Sequence, residues 1–405
     1  MRRTSVETLK FMIRLLTYCF GLVGMCSICL LTSCDSELPN TTPETPPISE
    51  DLVELEPYVW KLPEGIPLPV VPEDNPMSEA KVSLGRYLFY EPMLSVTQDF
   101  SCGACHRQEL AFTDGLPLGI GATDEVHILG SMSLVNVAYA TTLGWANPVL
   151  ERLETQALIP MFGEEPVELG LSGISESELL ARFKDHSDYP MRFSDAFPGE
   201  MDPISVPNIA KAIASFIRTL ISFESPYDQY TRGDEEALSN SAKRGMRLFF
   251  SEDAECFHCH GGFNFTDAAK TEGTAFTEKP FHNNGLYNVD GEGSYPTHQG
   301  VYEQTSRSGD LGRFKAPTLR NIELTAPYMH DGSIQTLEEV IEHYAAGGQL
   351  IEEGPNAGDG RLHPNKSEFV PGLLFSELDK IDLVNFLKSL TDPSVATKTE
   401  WSDPF

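Results

Sequence analysis

Two short segments of the chain carry the same arrangement of cysteine and histidine. Residues 102–106 read CGACH, and residues 256–260 read CFHCH. In both places Gly-x-x-Leu-Phe and a further aromatic residue come before the segment, and Phe-Thr-Asp follows it. The chain therefore contains an internal repeat, and each half of the fold must present the same chemical site.

Cys-x-x-Cys-His is the signal for covalent attachment of haem c, in which two thiols bond to the porphyrin and the adjacent imidazole ligates the iron. A zinc site built from the four cysteines would leave both histidines unexplained. A redox-active Cys-x-x-Cys would need a βαβ context that the sequence lacks. The sequence therefore predicts two covalently attached haem c groups. Their attachment residues and proximal ligands are Cys102, Cys105, His106, Cys256, Cys259 and His260.

The start of the chain is typical of an exported lipoprotein. Basic residues precede an apolar stretch at 15–31, which ends in Leu-Thr-Ser-Cys. We interpret 1–33 as a signal peptide, Cys34 as the lipidated residue, and 34–51, rich in Pro, Thr, Ser and Glu, as a flexible tether. A membrane-spanning anchor is the alternative for the apolar stretch. The predicted location is the periplasm or cell envelope of a Gram-negative bacterium, with the protein anchored to a membrane by lipid.

The charge and the remaining cysteines agree with that interpretation. The chain has 60 acidic and 29 basic residues and a formal net charge of −31, which argues against nucleic acid as a partner. Beyond residue 34, cysteine occurs only in the two repeated segments. No cysteine is therefore left for an ordinary disulfide framework.

The rest of the chain predicts a mainly α fold made of two cytochrome c-like domains, each with one covalent haem c and long loops. Apolar residues recur at helical spacing in six segments: 78–89, 150–159, 206–223, 241–250, 336–348 and 375–390. The domains are predicted at 52–235 and 236–405. In the segment 336–348, Thr336 and Glu339 form a capping-box pattern, and Tyr344 shares the apolar face of the helix. Tyr344 can therefore face the second haem or serve as a core tyrosine.

The sequence resembles the bacterial di-haem cytochrome c peroxidase and MauG superfamily over nearly all of its length after residue 51. The resemblance is carried by both haem motifs and by LGRYLFYEPMLS, AFTDG, LETQALIP, APTLRNIELTAPYMHDG and TLEEV. It implies that Tyr344 occupies the place of a methionine ligand in classical peroxidases. MauG-type enzymes have an iron-ligating tyrosine there, on a low-spin haem. Met329 is the competing sulfur ligand.

For the first haem, the resemblance implies an open, peroxidatic iron. Many family members carry a displaceable histidine sixteen residues after the haem histidine, where this chain has Ala122. His127 is the nearest histidine and is out of register, so we expect a permanently five-coordinate iron. Gln156 and Pro160 are expected to line the pocket. Glu168 is expected to be the distal acid and base, and Glu164 and Glu165 stay open as alternatives because of about two additional residues in this loop.

Two further roles follow from the resemblance. Trp145 corresponds to a tryptophan between the haems that passes an electron hole, with plain core packing as the alternative. Thr325 and Pro327 match positions whose carbonyls bind calcium between the domains. The asparagine usual in that site is missing, and Gly130 lies near its place.

Within the superfamily, GWANPVLERLETQALIPMFGEEPVELG and SMSLVNVAY resemble the MbnH-related subgroup, which oxidises a tryptophan in a partner protein in a copper context. The leading hypothesis is that hydrogen peroxide generates a high-valent di-haem state that oxidises an aromatic residue of a periplasmic partner protein. A cytochrome c peroxidase fed by a small cytochrome or cupredoxin is the second hypothesis. A non-catalytic di-haem electron carrier is the third.

Overall fold

A computed structural model of the protein describes residues 56–405. The predicted signal peptide, the tether at 34–51 and the lipidation site Cys34 lie outside the described residues. In the part that is described, no helix combines the length and the apolar character needed to cross a membrane.

The described chain is mainly helical, as predicted, with long loops between the helices. One small antiparallel sheet pairs β1 (Leu350–Ile351) with β2 (Gly358–Asp359). The α-helices are α1 (Glu79–Tyr90), α2 (Cys102–Cys105), α3 (Leu153–Gln156), α4 (Leu158–Phe162), α5 (Glu176–Lys184), α6 (Tyr189–Ala196), α7 (Val206–Arg218), α8 (Pro226–Thr231), α9 (Asn240–Phe249), α10 (Phe257–His260), α11 (Tyr302–Thr305), α12 (Leu337–Ala346) and α13 (Glu377–Lys388).

Helix α12 begins and ends where its sequence predicts. The Thr336 hydroxyl accepts a hydrogen bond from the Glu339 backbone N–H, and the Glu339 carboxylate accepts one from the Thr336 backbone N–H, which is a complete capping box. Gly347 ends the helix in the left-handed conformation at φ 75°. The segment 150–159 differs from the prediction, because it forms part of the two short helices α3 and α4 rather than one long helix.

Two separate apolar cores lie in the described residues. Helices α1 and α7 contribute to the first core, and helices α9 and α13 contribute to the second. The C-terminal segment returns to the first core, where Trp401 is 3% exposed and its ring lies 6.3 Å from that of Phe112. The described residues thus form one compact unit around two cores. The boundary at 235/236 stays a prediction.

The repeated Gly-x-x-Leu-Phe has the same packing role in both halves. An added Cβ at Gly85 of α1 would lie 1.9 Å from the Ala212 carbonyl oxygen of α7. An added Cβ at Gly245 of α9 would lie 1.9 Å from the Asp382 carbonyl oxygen of α13. Each glycine therefore lets two helices cross at backbone contact, and the Phe four residues later fills the core beside the crossing.

We expect Gly245→Ala to destabilise the protein, because a methyl group at this crossing must push α9 away from α13. Overpacking of this kind costs about 1–3 kcal/mol. The change is measured as a lower denaturant midpoint of the haem-loaded protein. Gly173→Ala is the control, because an added Cβ there meets no atom within 4 Å. Equal midpoints for the two variants would contradict the close crossing.

Candidate functional site

The first motif folds as the single helical turn α2, with His106 directly after it. Burial is the main cause that raises the pKa of the Cys102 and Cys105 thiols to about 12. The His106 Nδ1 lies 2.8 Å from the Phe112 carbonyl oxygen and donates to it, which leaves Nε2 available as a metal ligand.

The second motif repeats this arrangement around α10. The His260 Nδ1 lies 3.3 Å from the Phe265 carbonyl oxygen, and burial lowers the pKa of His260 as it does that of His106. Phe112 and Phe265 both adopt left-handed backbone conformations, with φ of 61° and 51°, and both rings are fully buried. Phe-Thr-Asp thus recurs because its Phe turns a carbonyl toward the haem histidine. Neutral imidazoles oriented in this way, beside two thiols, fit the predicted haem c groups.

Tyr344 and the second motif line one cavity. Its walls also include Met329, which lies at φ 74°, and the side chains of Cys256, Cys259 and His260. Burial is the largest cause that raises the pKa of Tyr344 to about 12, and an interaction with the Asn284 side chain opposes this effect. The phenol therefore keeps its proton unless a strong cation such as iron displaces it. The structure brings Tyr344 and Met329, the two predicted candidates for the sixth ligand, into the same cavity.

Glu168 is half-buried, whereas Glu164 and Glu165 are exposed to solvent. The charge of Glu168 contributes, after burial, to the raised pKa of the Cys102 and Cys105 thiols. Its Oε1 lies 3.3 Å from the His127 Nε2, so that the imidazole can donate to the carboxylate.

Ala122 lies beside this carboxylate through its backbone. The Ala122 N–H donates to the Glu168 carbonyl oxygen at 2.7 Å, and an added Cβ on Gly121 would meet the Val167 carbonyl oxygen at 2.0 Å. Ala122, the position at which the resemblance implied a displaceable histidine in other family members, is therefore next to Glu168, and its methyl group cannot ligate a metal. The role of Glu168 as distal acid and base stays a prediction.

Gln156 and Pro160 lie on the two short helices next to this loop. The Leu169 N–H donates to the Pro160 carbonyl oxygen at 2.8 Å, which ties the Glu168 loop to α4. Gln156 is half-buried, and its Oε1 is buried without a hydrogen-bond partner in the described residues. Two residues earlier, the carboxylate of Glu154 accepts a hydrogen bond from Arg218 of α7 at 2.8 Å, which anchors α3 to the first core.

Trp145 lies in the wall of the cavity that contains Tyr344 and the second motif, and residues of both halves line this cavity. Its Nε1 donates to the Gly130 carbonyl oxygen at 2.8 Å, and its own carbonyl oxygen accepts from the Lys315 backbone N–H at 2.8 Å. Thr325 and Pro327 line the same cavity. Because the Gly130 carbonyl is already bonded to Trp145, it offers one fewer free lone pair to a cation, and calcium stays a prediction.

Three residues of this cavity carried no functional prediction. Lys315 is buried, and burial lowers its pKa to about 8; its ammonium donates to the Thr142 carbonyl oxygen at 2.8 Å. His330 stacks on Phe314, and burial lowers its pKa to about 4. Asn284 donates to the Met329 sulfur at 3.3 Å. His330 lies within a motif that the resemblance rests on, and Lys315 directly precedes that motif, whereas Asn284 lies in a loop with no motif signal.

Known proteins are similar to this chain in sequence and in fold. The family model for di-haem cytochrome c peroxidases matches residues 79–236. The methylamine utilization protein MauG of Methylorubrum extorquens is 31% identical over 339 residues, which cover 84% of this chain and 85% of that protein. This chain belongs to the di-haem cytochrome c peroxidase family. Its relatives are named cytochrome c peroxidases and MauG, so the protein is a di-haem oxidoreductase with two haem c cofactors.

Two further relatives bear on which activity within the family applies. The cytochrome c551 peroxidase of Pseudomonas aeruginosa is 30% identical over 66% of this chain and 72% of its own. The crystal structure of a MauG-like protein associated with microbial copper homeostasis is 47% identical, with a TM-score of 0.84, and the match covers 86% of this chain and 99% of that one. The family uses hydrogen peroxide with either a redox partner or a protein substrate.

Proposed function

We propose that this protein uses hydrogen peroxide to oxidise an aromatic residue, a tryptophan, of a partner protein in the cell envelope. The observation that carries the proposal is the placement of Tyr344 in one cavity with Cys256, Cys259 and His260. An oxygen ligand favours the ferric and higher oxidation states, whereas the thioether of a classical peroxidase favours the ferrous state. The 47% identity to a MauG-like protein supports the same conclusion.

The proposed reaction balances with peroxide as the sole oxidant. Two electrons leave the partner's indole ring and reduce hydrogen peroxide to water. The ring gains one hydroxyl group in place of a hydrogen atom. The net change is therefore tryptophan plus hydrogen peroxide giving hydroxytryptophan plus water, and no other reductant is consumed.

The chain's own residues have distinct roles in this scheme. Bound haem c would supply the redox-active iron, held by His106 and His260. Glu168 would take a proton from one peroxide oxygen and return it to the other, while His127 holds the carboxylate in place. Trp145, bonded between the two halves, would provide an aromatic path for electrons.

Mass spectrometry of cell-envelope proteins tests the proposal. The haem-loaded protein is incubated with an envelope extract of its own host, with and without peroxide. We expect one partner protein in the extract to gain a single oxygen atom on a tryptophan only when the haem-loaded protein and peroxide are both present. Tyr344→Phe is the matched control. If no partner gains oxygen, the proposal is wrong.

Met329 favours a second candidate function, because it places a thioether in the same cavity. A haem with sulfur ligation would accept electrons from a small cytochrome or cupredoxin, as in the cytochrome c peroxidase hypothesis. Steady-state consumption of peroxide with such a donor separates the two. Sustained turnover with reduced donor and no modified partner would favour the peroxidase function.

The proposal includes a place in the cell envelope. A lipid on Cys34 and the tether at 34–51 would hold the folded body near a membrane surface, within reach of exported partners. Labelling of the expressed protein with a radioactive fatty acid, with Cys34→Ser as the control, tests this part.

A further inference from the structure

Asn284 connects both candidate ligands of the second haem. Its side-chain Nδ2 donates to the Met329 sulfur at 3.3 Å, and the side chain also lies against the Tyr344 phenol. Its backbone carbonyl accepts a hydrogen bond from the His343 Nε2 at 3.0 Å, and His343 precedes Tyr344 on α12. Asn284, Met329 and Tyr344 all line the cavity that contains the second motif.

The backbone around Asn284 is held tightly, so its side chain has a defined direction. The Gly285 N–H donates to the Asn283 side-chain oxygen at 2.9 Å, and the Gly285 carbonyl accepts from the Gln349 N–H at 2.9 Å. Gly285 adopts φ 73°, and an added Cβ would meet the Gly360 carbonyl oxygen at 2.9 Å. A side chain fixed by its backbone can hold a neighbour in place without losing much conformational entropy of its own.

A thioether and a phenol in one cavity compete for a single coordination position. The sulfur of Met329 is a weak hydrogen-bond acceptor, and an amide N–H directed at it holds the thioether beside the Asn284 loop, so that the sulfur must break this contact to move to a metal. The bond between His343 and the Asn284 carbonyl holds the tyrosine-bearing turn of α12 against the same loop. Both contacts favour the phenol over the sulfur.

We propose that Asn284 is a positioning residue that selects Tyr344 rather than Met329 as the sixth ligand of the second haem. Its amide restrains the Met329 sulfur, and its backbone carbonyl anchors α12 through His343. The inference rests on the ligand assignment within the proposed function. It explains how Tyr344 rather than Met329 becomes the iron ligand, although both side chains line the same cavity.

The test uses the haem-loaded protein and three variants: Asn284→Leu, Asn284→Gln and the double variant Asn284→Leu with Met329→Leu. Ferric electron paramagnetic resonance and near-infrared spectra identify the ligand, and a redox titration gives the midpoint potential of the second haem. Asn284→Leu removes the donor and keeps the branched shape and the number of side-chain heavy atoms. Asn284→Gln keeps a donor and is the conservative variant.

In Asn284→Leu we expect a sulfur-ligated fraction to form and the midpoint potential to become more positive. Loss of one hydrogen bond of this kind shifts the ligand equilibrium about tenfold toward sulfur. Asn284→Gln should keep the wild-type spectrum, and the double variant should lack the sulfur signature. If Asn284→Leu fails to load haem, Asn284→Ser removes the same amide donor with a smaller side chain and is judged by the same result.

Each outcome separates this inference from the proposed function. If the wild type shows tyrosine ligation and the donor-free variant has an unchanged spectrum, the role of Asn284 is wrong and the ligand assignment stands. If the wild type already shows sulfur ligation, the role of Asn284 and the assignment of Tyr344 as the ligand are both wrong. If the ligand switches in Asn284→Leu but no partner protein gains oxygen with peroxide, the proposed function fails and the role of Asn284 stands.

Discussion

Replacement of Tyr344 by Phe is expected to remove the oxygen ligand of the second haem and to shorten the lifetime of the peroxide-oxidised protein at least about tenfold. A phenolate donates charge to iron and stabilises its oxidised states, and phenylalanine has no atom to replace it. A tenfold change corresponds to about 1.4 kcal/mol, which is modest for the loss of a metal–ligand bond. Optical and paramagnetic resonance spectra report the ligand, and stopped-flow spectra report the lifetime.

Tyr328→Phe is the matched control for this prediction. Tyr328 lines the same cavity, it is buried, and burial raises its pKa to about 12, as for Tyr344. It is distinguished from Tyr344 by its position outside α12. The control should keep the wild-type spectrum and lifetime. Unchanged spectra and lifetime in Tyr344→Phe would leave Tyr344 as a core tyrosine and remove the main support for the proposed function.

Local features of the sequence predicted the parts of the site that are built by short segments. The helical turns with two thiols follow from Cys-x-x-Cys-His, and α12 follows from its capping box and its apolar face. Leu337 and Ile341 are buried on the face that also carries Tyr344, so that the periodicity alone directs Tyr344 into the cavity. These features depend on interactions within about ten residues.

Features built by distant segments could not be predicted in the same way. Asn284 reaches His343 across 59 residues, and nothing in its loop has a helical or strand period. Which of Glu164, Glu165 and Glu168 becomes half-buried depends on backbone bonds of this loop to Pro160 and Ala122. Counting residues along the sequence could not distinguish these three glutamates, because the additional residues in this loop shift its numbering relative to other family members.

The return of the C-terminal segment to the first core is also built by contacts between distant segments, so the sequence could not predict it. The Tyr90 hydroxyl donates to the Trp401 carbonyl oxygen at 2.7 Å, and the Gln108 Nε2 donates to the Val395 carbonyl oxygen at 2.9 Å. These contacts join residues more than 280 positions apart. The sequence repeat places the C-terminal segment in the second half, because it follows the second motif. In the folded chain the segment packs on the first core, which offers it an apolar surface.

Replacement of Glu168 by Gln is expected to slow the reaction with hydrogen peroxide by about 10²–10⁴-fold. A positioned acid and base contributes a factor of this size, and an amide cannot take a proton from one peroxide oxygen and return it to the other. Glutamine has the same shape and can still contact His127, so the loop bonds from Ala122 and Leu169 should persist. The rate constant is measured by stopped-flow mixing of the ferric haem-loaded protein with peroxide.

Glu164→Gln and Glu165→Gln are the matched controls, because both carboxylates lie in the same loop and are exposed to solvent. They change the net charge by the same amount as Glu168→Gln, so a difference between the variants reports position rather than charge. We expect both controls to react at close to the wild-type rate. If Glu165→Gln or Glu164→Gln slows the reaction as much as Glu168→Gln, the assignment of the distal acid and base to Glu168 is wrong. If Glu168→Gln is slow and both controls react normally, peroxide activation takes place at the first haem, beside Glu168. Among residues 56–405, Glu168 is the only one of these three glutamates that contacts His127.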